Sequence, residues 1–167
     1  MADSALRWLP PVSSVSLTAW PGAAPALAAR LLAQCGLTLA TAGHWTAAQD
    51  LVSVWLAPDH WQIESAAASD LAARLIAVAG AHGGVIDVTD ARAVLRLTGP
   101  ASRDVLARLL PLDLHPRAFA PHDAATTVAA HITVQLRQID AAPTYDLACL
   151  RSYADSLWHA VTQAGGG

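Results

Sequence analysis

The chain has 167 residues, of which 54% are hydrophobic and only 14% charged, with a formal net charge of −3. That length suits one domain with its own core. No run of basic residues offers a footprint for a phosphate backbone, and no uninterrupted apolar window approaches the ~18 residues of a membrane-spanning helix.

Residues 1–12 read as a flexible N-terminal arm, with Trp8 as its one anchor-like side chain. Met1 to Leu9 carries one Arg and no apolar run fit for a signal peptide, so a cytoplasmic location is expected. Ser13 to Ala19 alternates apolar and polar residues and predicts a strand. Pro21-Gly22 turns the chain. Pro25 opens a helix carrying Leu27, Leu31 and Leu32, which Gly36 closes as a left-handed cap. Leu37 to Leu39 begins a short strand, and Thr41 to Gln49 reads as an irregular connection. Asp50 to Leu56 is a strand with Val52, Val54 and Leu56 on one face and Trp55 on the other. Ala57 to His60 is a tight turn, Pro58 presetting its φ, and Trp61 to Glu64 returns as the partner strand. Ser69 caps a helix with Leu71, Leu75 and Val78 at helical spacing.

Gly80 to Gly84 breaks that helix and leads into the clearest stretch of the sequence. Val85 to Val88 is a strand, Thr89-Asp90-Ala91 is turn chemistry, and Arg92 to Leu97 alternates strictly. Ala93, Leu95 and Leu97 fall on one face, Arg92 and Arg96 on the other. Pro100 suits a first helical turn because it has no N–H to lose, and Val105, Leu106, Leu109 and Leu110 follow on one stripe until Pro111. After a loop from His115 to His122, Ala124–Ala130 and His131–Gln138 read as paired strands and Tyr145 to Leu150 as a third. Ser152 caps the last helix, with Asp155 completing a capping box. Leu157, Trp158 and Val161 form its apolar stripe, and Ala164 to Gly167 frays. Residues 13–164 are thus expected to form one α+β domain of mainly antiparallel sheet with helices packed on one face.

Chemistry-bearing motifs are sparse. Asp87 and Asp90, three apart around a turn, could form a ligand-binding carboxylate pair; the competing reading is that Asp90 bonds turn backbone and Asp87 caps or lies at a strand edge. His115, His122 and His131 lack compact metal-ligand spacing. Ser152 and Ser156 lack a nucleophile elbow. No phosphate loop exists, since the chain has no Lys and no Gly-x-Gly-x-x-Gly. Lys and Asn are both absent, a bias that a GC-rich bacterial genome produces. Cys35 and Cys149, far apart, read as small buried hydrophobes. The chain holds six tryptophans. Trp8, Trp55 and Trp61 are partner-interface candidates, because Trp is enriched at binding hot spots; core packing is the alternative for Trp55 and Trp61.

The stretch VIDVTDARAVLRLTGPASRDVLARLLPLDLHPRAF resembles the central segment of the gamma subunits of heterotetrameric sarcosine oxidases. Val54 to Trp61 and Leu150 to Trp158 fit the same family. The strand–turn–strand–Gly-Pro–helix order is also similar to the folate-binding domain of the glycine-cleavage T-protein. The resemblance implies a T-protein-like fold and a non-catalytic structural subunit without a cofactor of its own. It implies a complex that demethylates sarcosine oxidatively to glycine and passes the one-carbon unit to tetrahydrofolate. The partners it implies are an alpha subunit with NAD and a folate-binding region, a beta subunit with FAD and FMN, and a delta subunit with zinc. T-proteins carry an acidic pair in the strand after the central helix. Here Ala130 to Val134 has none, and no carboxylate lies between Asp123 and Asp140. Asp87 is the remaining folate candidate. The alternatives are the equivalent subunit of a related N-methyl amino acid dehydrogenase and a stand-alone folate-binding protein.

Overall fold

The structure, a computed structural model, describes residues 5–67 and 70–166. Its described residues form ten strands and four α-helices in two compact units, one spanning 11–89 and the other joining 5–10 to 90–166. The single domain expected over 13–164 is therefore divided, and the division falls inside the Thr89-Asp90-Ala91 turn. Residues 85–88 and 92–97, expected as neighbours, belong to different sheets.

The first strand in the chain does not join the unit that follows it: β1 (Ala5–Trp8) pairs with β7 (Arg92–Thr98) in the unit that contains residues 90–166. Residues 5–8 are thus not a loose arm. Leu6 and Trp8 sit opposite Leu97 and Leu95 and pack on the same core, so burial offsets the entropy of ordering the terminus.

In the 11–89 unit, β2 (Ser13–Ala19), β3 (Trp45–Ala48), β4 (Leu51–Ala57), β5 (His60–Ser65) and β6 (Gly83–Asp87) form an antiparallel sheet in the order β3-β4-β5-β2-β6. The helices α1 (Ala24–Cys35) and α2 (Leu71–Ala79) supply Leu27, Leu31, Cys35, Leu71, Leu75 and Val78 to a core shared with Val15, Leu17, Leu51 and Ile63. Pro25 lies in the first turn of α1, and Gly36 caps it at φ 65° with its N–H on Leu32, as the sequence predicts. Residues 37–39 form no strand, although Leu37 and Leu39 are buried. The expected irregular connection instead contains β3, a short edge strand with too few residues to show a period. Ser69, expected as the cap of α2, lies outside the described residues.

In the other unit, β8 (Ala124–Ala129), β9 (Ile132–Asp140) and β10 (Thr144–Leu150) complete an antiparallel sheet in the order β1-β7-β10-β9-β8. One face packs under α3 (Ser102–Ala107) and α4 (Ala154–Gly165), joining Leu95, Leu97, Val134, Leu136 and Leu147 to Val105, Leu106, Leu157 and Val161. Leu109 and Leu110 lie just past α3, where Leu110 is still buried. Ser152 does not cap α4. A 3-10 turn over Arg151–Tyr153 precedes the helix, and the N-cap, Tyr153, makes no side-chain cap bond. The fold class is α+β, with mainly antiparallel sheets and helices on one face of each.

Candidate functional site

Asp87 ends the edge strand β6. Its carboxylate accepts the Thr89 N–H at 2.9 Å, which holds its pKa below the usual carboxylate value. The Thr89 hydroxyl in turn accepts the Ser14 N–H at 3.0 Å. Asp87 therefore serves the turn, and its role as a folate contact has no support from its surroundings. Asp90 is engaged within the other unit: its carbonyl accepts the Arg151 Nε–H at 2.7 Å, and its carboxylate lies 3.7 Å from Arg151 Nη2. Asp87 bonds the turn backbone, and Asp90 meets Arg151 instead; the two carboxylates are each engaged separately.

The three interface tryptophans separate. Trp61 is buried in the core and donates its indole N–H to the Ala40 carbonyl at 2.8 Å. That bond and burial give it a structural role in place of a partner-facing one. Trp55 sits opposite Trp61 in the ladder and packs, half-buried, on the same core. Trp8 stacks on Trp158 of α4 with ring centroids 6.0 Å apart. Cys35 and Cys149 are buried free thiols, as expected. Burial pushes the Cys149 thiol up.

Two features of the 90–166 unit lay beyond sequence reasoning. The first is a charge triad on the sheet face that carries no helices. Asp146 of β10 is opposite both Arg96 of β7 and Arg137 of β9 in the ladder. Arg96 grips it with Nε to Oδ1 at 2.6 Å and Nη2 to Oδ2 at 2.9 Å, and Arg137 Nε donates to Oδ2 at 3.2 Å. The Asp146 side chain is 1% exposed. The carboxylate hydrogen bonds raise the Arg96 pKa further above its ordinary value. With both Asp146 oxygens occupied by arginines, the triad is a cross-strand clamp. The alternation of Arg92 and Arg96 marked this face as polar, but nothing local in the sequence pairs Asp146 with residues 50 and 9 positions away.

The second is a cavity of about 440 Å³ at the end of the same sheet, lined by Arg92, His131, Ile132, Thr133, Leu150 and Tyr153. Arg92 and Leu150 are ladder partners. The β8–β9 hairpin brings in His131 through a two-residue turn in which Ala130 (φ 47°) and His131 (φ 72°) are both left-handed. This turn conformation matches the strand twist but normally takes Asn and Gly. Among the described residues, no three His, Cys, Asp or Glu side chains gather as a metal would require. His115 Nδ1 accepts the Arg117 N–H at 3.2 Å within its own loop.

This architecture is similar in fold to that of a glycine-cleavage aminomethyltransferase. The chain superposes on the glycine-cleavage aminomethyltransferase T from Bartonella henselae with a TM-score of 0.68 over 95% of its own length and 45% of that chain, at 16% identity, a likeness of fold alone. A family model described as sarcosine oxidase, gamma subunit family, matches residues 20–166. The chain belongs to that family. It is 37% identical over 132 residues to the sarcosine oxidase subunit gamma of Arthrobacter sp., covering 78% of this chain and 65% of that protein. To the corresponding subunit of Corynebacterium sp. (strain P-1) it is 44% identical over 84 residues, covering 50% and 41%. These matches span about two thirds or less of the relatives' lengths. A chain of the heterotetrameric sarcosine oxidase from Corynebacterium sp. U-96, solved with pyrrole 2-carboxylate, superposes with a TM-score of 0.86 at 30% identity, covering 96% of this chain and 83% of that one.

Proposed function

We propose that the chain is the non-catalytic gamma-type subunit of a heterotetrameric, sarcosine-oxidase-like flavoenzyme located in the cytoplasm. In this reading the oxidative demethylation of sarcosine, and transfer of its one-carbon unit to tetrahydrofolate, take place on partner subunits. An alpha subunit carries NAD, a beta subunit FAD and FMN, and a delta subunit zinc. The observation that carries the reading is the superposition over nearly the whole chain on a component of a solved heterotetrameric sarcosine oxidase. The subunit reading also accommodates several large apolar side chains left exposed, among them Trp20, Leu32, Ile76 and Ile86, each about half exposed or more. We retain Trp8 and Trp55 as contributors to partner contacts, each through the edge it leaves uncovered.

Co-expression tests this. The tagged chain, produced with candidate flavin-bearing and NAD-bearing subunits, is expected to elute with them as one complex that consumes oxygen on addition of sarcosine. The chain alone is expected to be colourless and to self-associate. A sharp monomer at high concentration that captures none of those subunits overturns the subunit reading. Reduction of an artificial electron acceptor with N-methylglutamate, and no reaction with sarcosine, moves the complex to the N-methyl amino acid dehydrogenases.

A further inference from the structure

We propose that β8, an edge strand of the 90–166 sheet, takes up an extended, uncharged segment of another subunit of the complex as a sixth strand. This inference rests on the subunit reading above. The edges of the two sheets are β1 and β8 in one, β3 and β6 in the other. Proteins blunt such edges with short strands, charges, bulges or a covering group, because the unpaired backbone is a template for another chain. β1 and β3 have four residues each, and β1 carries Arg7. β6 ends in Asp87, and the Trp20 ring lies over its Gly84, where a Cβ would meet the ring at 3.0 Å. β8 has none of these devices. Its six residues, AATTVA, include no charge, proline or glycine, and they pair with β9 without a shift of register.

The ladder determines which backbone groups of β8 face outward. The two-residue turn Ala130–His131 makes Ala129 and Ile132 the closing pair. At the other end the Gln138 N–H donates to the Asp123 carbonyl at 3.0 Å. In an antiparallel pair, residues that exchange bonds alternate with residues that do not. Ala125, Thr127 and Ala129 therefore bond to β9, while the N–H and C=O of Thr126 and Val128 point away from it. Among the described residues, no loop or helix backbone bonds to Ala124–Ala129. Thr126 and Val128 are both exposed, Val128 at 44%. Donors and acceptors alternating at strand spacing are what an extended backbone satisfies. The side chains define the rest of the occupant. Ala125 packs on the core, so Thr126 and Val128 project from the sheet face without helices. A residue opposite Val128 on the added strand has its Cβ about 5 Å away, which suits a β-branched or aromatic side chain; a charged one would meet no counter-charge on β8. A complex with one copy of this chain draws that strand from a different subunit.

Hydrogen exchange resolved to single amides reads the new bonds directly, in the full chain kept dilute and in the chain assembled on its purified candidate subunits. The Thr126 and Val128 amides are expected to exchange about 100-fold more slowly in the complex than in the free chain. Unchanged rates at both amides overturn the pairing. Variants give an independent reading by biolayer interferometry. Proline at position 126 or 128 removes only an outward N–H and leaves the bonds to β9 in place. Thr126→Pro and Val128→Pro are each expected to weaken assembly about tenfold, and Val128→Lys by a similar factor. Ala47→Lys, the same charge at an exposed position of the β3 edge, is expected to stay within twofold; an equal loss there overturns the assignment to β8. Melting curves check that the variants fold; if the proline variants do not, the exchange rates and Val128→Lys carry the test. Assembly that every β8 variant leaves within threefold of wild type overturns the pairing and leaves the subunit reading standing. A wild-type chain that binds no partner overturns both. Protection of the two amides that grows with the concentration of the free chain, while the β8 variants bind the other subunits normally, overturns the partner strand in favour of a second copy.

Discussion

The 11–89 unit and the 90–166 unit are built alike and differ on one face. Each is a five-stranded antiparallel sheet with two helices over one side, and each helix-covered side is aliphatic. On the opposite side they diverge. The 90–166 unit places Asp146 between two arginines across three strands. The 11–89 unit has smaller contacts there: the Gln62 amide donates to Glu64 within β5 at 2.8 Å, and Ser16 Oγ of β2 meets His60 Nε2 of β5 at 2.7 Å. The core faces show what patterning alone supplies, since Leu, Val and Ile at alternate positions form either sheet. The polar faces show what it does not supply: the Asp146 clamp ties the register of three strands at one residue, the Ser16–His60 contact ties two, and the Gln62–Glu64 bond, within one strand, ties none. A one-residue slip would take Asp146 away from both arginines at once and turn it towards the helices.

The largest effects should come where the units are the same. Leu106 and Leu75 are both fully buried, one on a helix of each unit, facing its core. Leu106→Asp and Leu75→Asp each place an unpaired carboxylate in an apolar core at a cost of several kcal/mol, a large share of the stability of a domain this size. Both variants are expected to lose the cooperative thermal transition followed by circular dichroism. A melt within a few degrees of wild type for either one would separate that helix from the core assigned to it and break the equivalence of the units.

The next effect distinguishes the two polar faces. Asp146→Asn keeps the shape but removes the charge that two arginines share. Breaking a buried pair costs about 3–5 kcal/mol when the charges left behind are fully buried. Arg96 and Arg137 keep 24% and 13% of their side chains exposed, so the lower end, about 2–3 kcal/mol, is expected. Glu64→Gln should cost only about 1 kcal/mol, since an amide can still accept the Gln62 N–H. Urea unfolding of the two variants side by side measures the gap. Equal losses would mean that the triad contributes no more than the contacts of Glu64 do.

Much of this was legible in the sequence because it was local. Strand β2 and the Pro25–Gly36 limits of α1 follow from alternation and capping over a handful of residues. Ala93, Leu95 and Leu97 against Arg92 and Arg96 already gave the two faces of β7. The clamp and the cavity were not legible because their members come from strands joined only by the fold: Arg92 meets Leu150, and the hairpin turn that brings in His131 carries Ala where Gly or Asn would signal it. The division into units was hidden for a related reason. Thr89-Asp90-Ala91 reads as a hairpin turn by chemistry, yet β6 pairs with β2 and β7 with β1 and β10. Turn residues say that the chain bends, and only long-range pairing says which sheet it enters next. Ser152 misled in the same way: Ser and Asp three apart satisfy the capping rule, but the chain takes a 3-10 turn first and uses neither.

The smallest expected effect sharpens the contrast through pH. Both tyrosines of the chain, Tyr145 and Tyr153, lie in the 90–166 unit. Tyr145 is fully buried, and burial raises its phenol pKa, an effect that Arg103, donating to its oxygen at 3.1 Å, only partly offsets. Burial raises the Cys149 thiol in the same core. In both cases the folded chain holds its proton more tightly than the unfolded chain. The stability they contribute is complete below the unfolded pKa values, about 8.5 for a thiol and 10 for a phenol, and falls as pH rises through and above them. Urea midpoints are therefore expected to be level up to about pH 8 and to decline beyond it. Tyr145→Phe combined with Cys149→Ala should lower the neutral-pH midpoint, through the lost Arg103 bond and the smaller side chain, and flatten the alkaline decline. A decline as steep in the double variant as in wild type would assign the alkaline loss to groups outside this core and leave the two units indistinguishable in their response to base.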